Sequence, residues 1–85
     1  MPSKTVTVGS AVGLHARPAA IISEAAGELD AEVTIGKPGE DAVDASSALM
    51  IMTLGASKGD DVEVTSDDQA AVDQIAALVE QDLDA

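Results

Sequence analysis

His15 is the only histidine of the chain, and it lies in residues 13–19, which read Gly-Leu-His-Ala-Arg-Pro-Ala. Its imidazole is a potential nucleophile. Arg17, two positions further on, carries a planar fork of N–H donors that suits phosphate or carboxylate oxygens. Pro18 fits the first turn of a helix, where its missing N–H costs no helical hydrogen bond. The spacing therefore predicts a nucleophile and a cation at the beginning of a helix, with His15 as the N-cap residue.

Such a helix N-terminus gives His15 an environment that binds anions. The first N–H groups of a helix have no intrahelical partner, and the helix dipole places partial positive charge at the same point. A histidine there can accept a phosphoryl group on a ring nitrogen, and the helix N-terminus and Arg17 can hold the charge of that group. From the residues alone one alternative stays open, in which His15 only caps the helix and Arg17 pairs with Glu24.

The periodicity of apolar residues predicts the elements that position this histidine. Polar and apolar residues alternate at 4–8, 31–35 and 61–65, as in strands with one buried face, and a turn at 36–39 precedes a weaker strand at 41–44. Helical spacing occurs at 16–29, 47–54 and 68–83. The order β-α-β-β-α-β-α predicts an α+β open-faced β-sandwich, in which a four-stranded antiparallel sheet has three helices packed on one face.

The composition excludes several other kinds of function. The chain has 85 residues, no cysteine, no aromatic residue and a net charge of −12, which allows one small domain. Without cysteine, and with one histidine, neither thiolate catalysis nor a zinc site is expected, so we predict no metal and no cofactor. The acidity disfavours binding to nucleic acid or anionic lipid. A cytoplasmic protein is expected, because no segment has the pattern of a signal peptide or of a ~20-residue membrane span.

Residues 13–19 resemble the phosphorylation-site signature of HPr, the histidine-containing phosphocarrier family of the bacterial phosphoenolpyruvate-dependent sugar phosphotransferase system. Residues 46–55 are similar to the short second helix of that family, and the length and the order of elements also match. The resemblance implies that residues 1–85 form a single HPr-like domain, a monomeric phosphoryl carrier rather than an enzyme, with a phosphohistidine intermediate. His15 would accept a phosphoryl group on Nδ1 from phosphorylated enzyme I and pass it to the EIIA domain of a sugar-specific enzyme II.

The resemblance also implies how the phosphoryl group is held. Arg17 would assist in placing the phosphate, and the backbone N–H groups of Ala16 and Arg17 would receive its oxygens. Some HPr proteins carry lysines on the first helix near the docking surface, whereas Glu24 and Gly27 occupy that region here. Docking is therefore expected to depend on apolar contacts and Arg17 more than on a basic patch.

Partner binding is assigned to the short second helix, because the family presents apolar residues from this helix beside the active histidine. Helical spacing divides its residues between two faces. The outward face, expected to contact partners, consists of Ala48, Leu49 and Met52. The opposite face is expected to consist of Ser47, Met50, Ile51 and Leu54.

Ser47 has two possible roles at the start of this helix. Serine is a preferred N-cap residue, and Ser46 shares that property. In part of the HPr family, a serine here is phosphorylated by HPr kinase/phosphorylase to control carbon catabolite repression, and its distance from residues 53–55 (Thr-Leu-Gly) selects Ser47. A phosphate there would add about −2 charge and weaken binding to enzyme I.

Two alternative functions remain at the level of the sequence. One is a regulatory HPr-like relay that signals carbon or nitrogen status through the same histidine. The other is an acyl-carrier-like protein, which would share the size, the acidity and a serine near a helix start. The alternating segments and the lack of an Asp-Ser-Leu attachment site speak against the acyl carrier.

Overall fold

A computed structural model describes residues 2–11 and 13–81 of the chain. Within these residues the helices and strands follow one another in the predicted order. They are β1 (Ser3–Thr7), α1 (Ala16–Gly27), β2 (Val33–Gly36), β3 (Val43–Asp44), α2 (Ala48–Thr53), β4 (Asp61–Ser66) and α3 (Gln69–Glu80).

The strands form one four-stranded sheet in the order β1-β4-β2-β3, and every neighbouring pair is antiparallel. Alternation along β4 determines which face is buried. Val62 and Val64 are buried, whereas Asp61 and Glu63 are exposed. Val6 of β1 is buried opposite Val62. The predicted antiparallel sheet, with one face toward solvent, is confirmed.

Helices cover the apolar face of this sheet. α3 packs against β1 and β4, and α1 packs against both α2 and α3. The spacing of their buried residues is helical, as in Ile22 and Ala26 of α1 and in Val72, Ile75 and Val79 of α3. The core is aliphatic, because the chain contains no aromatic residue. This arrangement confirms the predicted open-faced β-sandwich and excludes the helical bundle of the acyl-carrier alternative.

Three strands are shifted or shorter than predicted. β1 covers Ser3–Thr7 rather than residues 4–8. β2 begins at Val33 rather than at residue 31 and continues through Gly36. β3 contains only Val43 and Asp44, because pairing with β2 is limited to Thr34 with Asp44 and Ile35 with Val43. Gly36 lies close to the backbone of Ala42, where the turn between β2 and β3 ends.

The helices end slightly earlier than predicted. α1 ends at Gly27 because the N–H of Leu29 bonds to the carbonyl of Ala26, three residues back, which tightens the last turn. α3 begins after Asp68, whose carboxylate accepts the N–H of Ala70 at 3.1 Å. Leu83, predicted on the apolar stripe of α3, lies outside the described residues.

No helix in residues 2–11 and 13–81 has the length and apolar character that crossing a membrane requires.

Candidate functional site

His15 is the N-cap residue of α1, as the sequence predicts. Its backbone is extended, with φ −83° and ψ −164°, and its carbonyl accepts the N–H of Ala19 at 2.8 Å. The side chain does not cap the helix, since the imidazole makes no capping hydrogen bond. The side chain is exposed. The imidazole is therefore accessible to a partner protein.

The first turn of α1 leaves its N–H donors facing outward. Ala16 and Arg17 are exposed, and neither N–H donates a hydrogen bond to any described residue. Pro18 follows with no N–H and a buried ring. First-turn donors of this kind carry the positive end of the helix dipole, so an anion on the His15 imidazole has backbone donors beside it.

No carboxylate of the described residues forms an ion pair with the guanidinium of Arg17. Across the part of the chain that the structure describes, the only ion pair joins Lys37 Nζ to Asp60 Oδ2 at 4.0 Å. The alternative pairing of Arg17 with Glu24 is thus not formed. An exposed arginine two residues beyond the histidine keeps its donors free for the oxygens of an incoming anion.

Gly13 and Leu14 fix the backbone that leads into His15. Gly13 has φ +75°, and its N–H bonds to the carbonyl of Ser10 at 2.9 Å. Leu14 is buried, 2% exposed, and donates its N–H to the carbonyl of Ala56 at 3.0 Å. A Cβ on residue 13 would overlap the carbonyl oxygen of Ala56 and lie 2.9 Å from the Cα of Ser57. Only glycine allows this approach without displacing the backbone.

A second anchor joins the same loop to the end of α3. The N–H of Gly9 bonds to the carbonyl of Val79 at 3.1 Å, and the hydroxyl of the buried Ser10 donates to the carbonyl of Gln81 at 3.3 Å. A Cβ on residue 9 would overlap the carbonyl of Glu80. The carbonyls of Val79 and Gln81, in and just after the last turn of α3, are thereby satisfied by the loop that carries the histidine.

α2 presents a patch of large apolar side chains to solvent. Leu49 is 69% exposed, Met50 41% and Met52 37%, and we call these three residues the α2 patch. Its C-terminal end is tied to the histidine, because Ala56 follows the helix and bonds to Leu14. A surface of this kind suits protein–protein contact.

The two faces of α2 differ from the prediction at two residues. Ile51 is completely buried, and residues three or four positions away share its face. Ala48 is one of them, and it is half-buried and packed against the core. Met50 is adjacent to Ile51 and points away from it. The prediction was therefore wrong for two residues, since Ala48 faces the core and Met50 faces solvent. Leu49 and Met52 face solvent as expected.

The two serines before α2 have different roles. Ser47 is the N-cap residue, and its hydroxyl oxygen accepts the N–H of Met50 at 3.3 Å. Ser46 instead donates its hydroxyl to Asp44 Oδ1 at 2.7 Å and its N–H to the same oxygen at 2.9 Å. These two bonds, the hydroxyl first, hold the pKa of Asp44 below its ordinary value of 3.8.

Other kinds of site are not found near His15. Among the described residues, no group of histidine or acidic side chains is arranged to hold a metal ion. An open depression of about 210 Å³ borders Gly27, Leu29, Asp44 and Ser46. It lies at the C-terminal end of α1, whereas His15 lies at the N-terminal end.

The sequence did not identify every residue that builds the site. The anchoring roles of Gly9, Ser10 and Ala56 depend on contacts between segments far apart in the chain, and no local pattern marks them. Gly9 directly follows the predicted strand at 4–8, and a glycine at that place is a weak signal of a turn. Met50 could have been assigned to the exposed side by placing Ala48, the smaller residue, beside Ile51.

Comparisons with known proteins agree with this geometry. Residues 2–81 match a family model described as "PTS HPr component phosphorylation site". The phosphocarrier protein HPr of Streptomyces coelicolor is 40% identical over 87 residues, covering 99% of this chain and 94% of that protein. An HPr structure from Thermoanaerobacter tengcongensis is 30% identical, with a TM-score of 0.87, covering 100% of this chain and 98% of that one. A phosphocarrier protein HPr from Bacillus anthracis is 33% identical, with a TM-score of 0.84, covering 92% and 95%.

The matches to these three proteins extend over nearly the whole length of both chains that are compared. The matched residues include the exposed histidine at the start of α1. The chain belongs to the HPr family, the phosphocarrier proteins of the phosphotransferase system.

Proposed function

We propose that His15 accepts a phosphoryl group from phosphorylated enzyme I and passes it to the EIIA domain of a sugar-specific enzyme II. The observation that carries this proposal is the exposed imidazole at the N-terminus of α1, with no hydrogen bond that caps the helix. The family membership supplies the reaction, and the geometry around His15 is compatible with it. The protein is then a carrier that is phosphorylated and dephosphorylated in each cycle, without a cofactor of its own.

The transfer requires an unprotonated ring nitrogen, which we assign to Nδ1. Its lone pair attacks the phosphorus atom of the donor, a P–N bond forms to His15, and the bond between phosphorus and the donor's nitrogen breaks. In the second step EIIA attacks the same phosphorus and the bond to His15 breaks. Both steps move one phosphoryl group and consume no other reactant.

The surroundings of His15 can stabilise the charge that moves. The phosphoryl oxygens carry negative charge throughout the transfer. The N–H groups of Ala16 and Arg17 have no described acceptor, and the Arg17 guanidinium has no described carboxylate. Donors that are already oriented cost no reorganisation when the phosphoryl group arrives. We therefore assign these groups to phosphate binding.

Partner proteins are proposed to dock on the α2 patch and the first turn of α1. Leu49 and Met52 have the exposure that such contacts need, and Met50 joins them. Ala48 contributes a smaller, half-buried surface. Flexible methionine side chains suit a surface that must fit at least two different partners. A small interface also allows rapid release after each transfer, which is consistent with a monomeric carrier.

Ser47 is proposed as a regulatory phosphorylation site wherever an HPr kinase/phosphorylase accompanies this protein. It is partly exposed at the start of α2, next to the α2 patch. A phosphate there would place negative charge beside the docking surface. We also propose that residues 1–85 act as one HPr-like domain in the cytoplasm, where phosphoenolpyruvate-dependent transfer takes place.

The proposal is tested by intact mass spectrometry. The protein is incubated with phosphoenolpyruvate and enzyme I, in parallel with a His15→Ala variant. We expect one added phosphoryl group, labile in acid, on the parent and none on the variant. Adding an EIIA domain should then remove the group from the parent. A parent that stays unmodified, while enzyme I phosphorylates another HPr in the same assay, would contradict the proposal.

A purely regulatory relay is distinguished by the second step. Such a protein would be phosphorylated by enzyme I but would not pass the phosphoryl group to the EIIA domain of a sugar permease.

A further inference from the structure

Basic residues are distributed unevenly in this acidic chain. There are four lysines and arginines against sixteen acidic residues. The end of the sheet where β1 finishes and β4 begins is defined by the pairing of Thr7 with Asp61, and β2 finishes two residues further along β4, with Gly36 opposite Glu63. Lys37 directly follows β2, and Lys58 lies just before β4. Both therefore lie at the end of the sheet from which the chain leads to His15.

Lys4 lies toward the other end of the same sheet. It belongs to the first half of β1 and pairs with Val64, and its neighbour Ser3 pairs with Thr65. Its side chain is exposed. Lys4 and Lys58 are therefore two exposed lysines whose removal changes the net charge equally but at different places on the surface.

The turn that carries Lys58 is fixed against the histidine loop. Ser57 and Asp60 are joined by two bonds, from the Ser57 N–H to Asp60 Oδ2 and from the Asp60 N–H to the Ser57 carbonyl, both at 2.9 Å. The N–H of Gly59 bonds to the carbonyl of Val8 at 3.0 Å. On the other side of Lys58, the Cα of Ser57 lies against Gly13. Lys58 thus lies between two contacts with the segment that leads to His15.

Lys58 forms no ion pair with any carboxylate that the structure describes. It is exposed, and the single ion pair among residues 2–11 and 13–81 uses Lys37 with Asp60. Arg17 and Lys58 are therefore the cations near the histidine loop that have no described carboxylate partner. The acidic remainder of the surface repels an anionic protein, and a local cation can offset that repulsion at the place of contact.

We propose that Lys58 is a specificity-determining residue that attracts the phosphorylated donor to the His15 face. This inference rests on the proposed function. The donor is recognised by its chemistry, the negative charge of its phosphohistidine. Lys58 acts while the two proteins approach each other, through long-range electrostatic attraction. It does not contact the phosphoryl group that is transferred. Lys58, which lies in a turn, would provide the electrostatic attraction that lysines on α1 provide in some HPr proteins.

An association rate that is increased by electrostatic attraction falls as the salt concentration rises. Exposed charges interact over a Debye length of ~10 Å at 0.1 M salt, and over roughly 4 Å at about 0.5 M. Removing a charge at the rim of an interface mainly changes the association rate and its salt dependence. Lys58 should therefore affect KM rather than kcat, and only at low ionic strength.

The experiment compares phosphoryl transfer from phosphorylated enzyme I to the parent, Lys58→Gln, Lys58→Arg and Lys4→Gln. At low salt we expect Lys58→Gln to raise the KM about two- to fivefold with kcat unchanged. Lys58→Arg should restore the parent value, and Lys4→Gln should change KM much less. At about 0.5 M salt the four proteins should converge.

Equal effects of Lys58→Gln and Lys4→Gln would overturn the proposal, because net charge alone would then explain them. A defect in Lys58→Gln that persists at high salt, or that Lys58→Arg does not repair, would overturn it as well, since the turn itself would be at fault. In both cases the parent is still phosphorylated and the proposed function stands. A parent that enzyme I does not phosphorylate would remove both proposals together.

Discussion

Leu14 donates its backbone N–H to the carbonyl oxygen of Ala56 at 3.0 Å, which ties the residue before His15 to the segment after α2. The bond joins the two surfaces that a phosphocarrier must present together. His15 supplies the nitrogen proposed to accept the phosphoryl group, and the α2 patch supplies the proposed contact with partners. A backbone hydrogen bond therefore helps to fix the position of His15 relative to the α2 patch. Substitutions of side chains elsewhere leave this bond intact.

Gly13→Ala should disrupt this junction. The left-handed φ of +75° costs a non-glycine residue about 1–2 kcal/mol, and the added Cβ would overlap the carbonyl that Leu14 uses. We expect a loss of more than about 2 kcal/mol of unfolding free energy, measured in urea, and slower phosphorylation of the folded fraction.

Gly39→Ala is the matched control for that change. Gly39 has a similar φ of +82°, but a Cβ there meets no atom within 4 Å. It should cost only the backbone strain, about 1–2 kcal/mol, and leave phosphorylation by enzyme I unchanged. Equal effects of the two substitutions on phosphorylation would contradict the anchoring role of Gly13.

Leu49→Ser and Met52→Ser should weaken docking without weakening the fold. Both side chains are exposed, so unfolding free energies should stay within about 0.5 kcal/mol of the parent. We expect each substitution to raise the KM for phosphorylation by enzyme I about fivefold or more. Gln74→Ser, on the exposed side of α3, serves as the control. A normal KM for both patch variants would show that partners dock elsewhere.

Ser47→Asp separates capping from regulation. Aspartate is as good an N-cap as serine, so α2 should keep its stability, whereas Ser47→Ala should lose about 1 kcal/mol. The added charge beside the α2 patch should slow phosphorylation of Ser47→Asp, while Ser47→Ala should be phosphorylated normally. Thermal unfolding and transfer kinetics measure the two effects. If the aspartate variant is phosphorylated at the parent rate, charge at this position does not regulate docking.

Ser46→Ala should raise the pKa of Asp44 toward 3.8, since the Ser46 hydroxyl is the main cause of its lowering. A lowered pKa in the folded state contributes stability above the ordinary pKa, and this contribution is lost as the pH falls through the folded-state value. The parent should therefore exceed Ser46→Ala in stability at neutral pH by more than it does in strong acid. An NMR titration of the Asp44 carboxyl checks the shift, with Ser3→Ala as the control. An unchanged titration in Ser46→Ala would refute the assignment.

The sequence predicted the fold because its local patterns agree with one another. Alternation in 61–65 placed Val62 and Val64 on one face, and the same alternation organises the sheet. His15 and Pro18 marked the start of α1 within one residue. These signals are local, since strand period and helix capping depend on neighbouring residues.

Those local patterns do not predict contacts between segments that are far apart in the chain. The short extent of β3 follows from its pairing with β2, and residues 41–44 alone do not reveal it. On α2, two helical faces could be drawn, but only the packing of Ile51 into the core decides that Ala48 turns inward and Met50 outward. The position of Lys58 beside the histidine loop depends on the bond from Gly59 to Val8, which the sequence alone does not reveal.

The close approach of Gly9 to the last turn of α3 couples the site to the most buried part of the fold. The carbonyl of Val79 accepts the N–H of Gly9, and Val79 itself is fully buried. Unravelling of the helix end would therefore release the loop, and opening of the loop would leave helix carbonyls without donors. The two should open as one cooperative unit, so the hydrogen-bonded amides that anchor the loop, those of Gly9, Gly13 and Leu14, are expected to exchange at the slow rate of the core rather than at the fast rate of a surface loop.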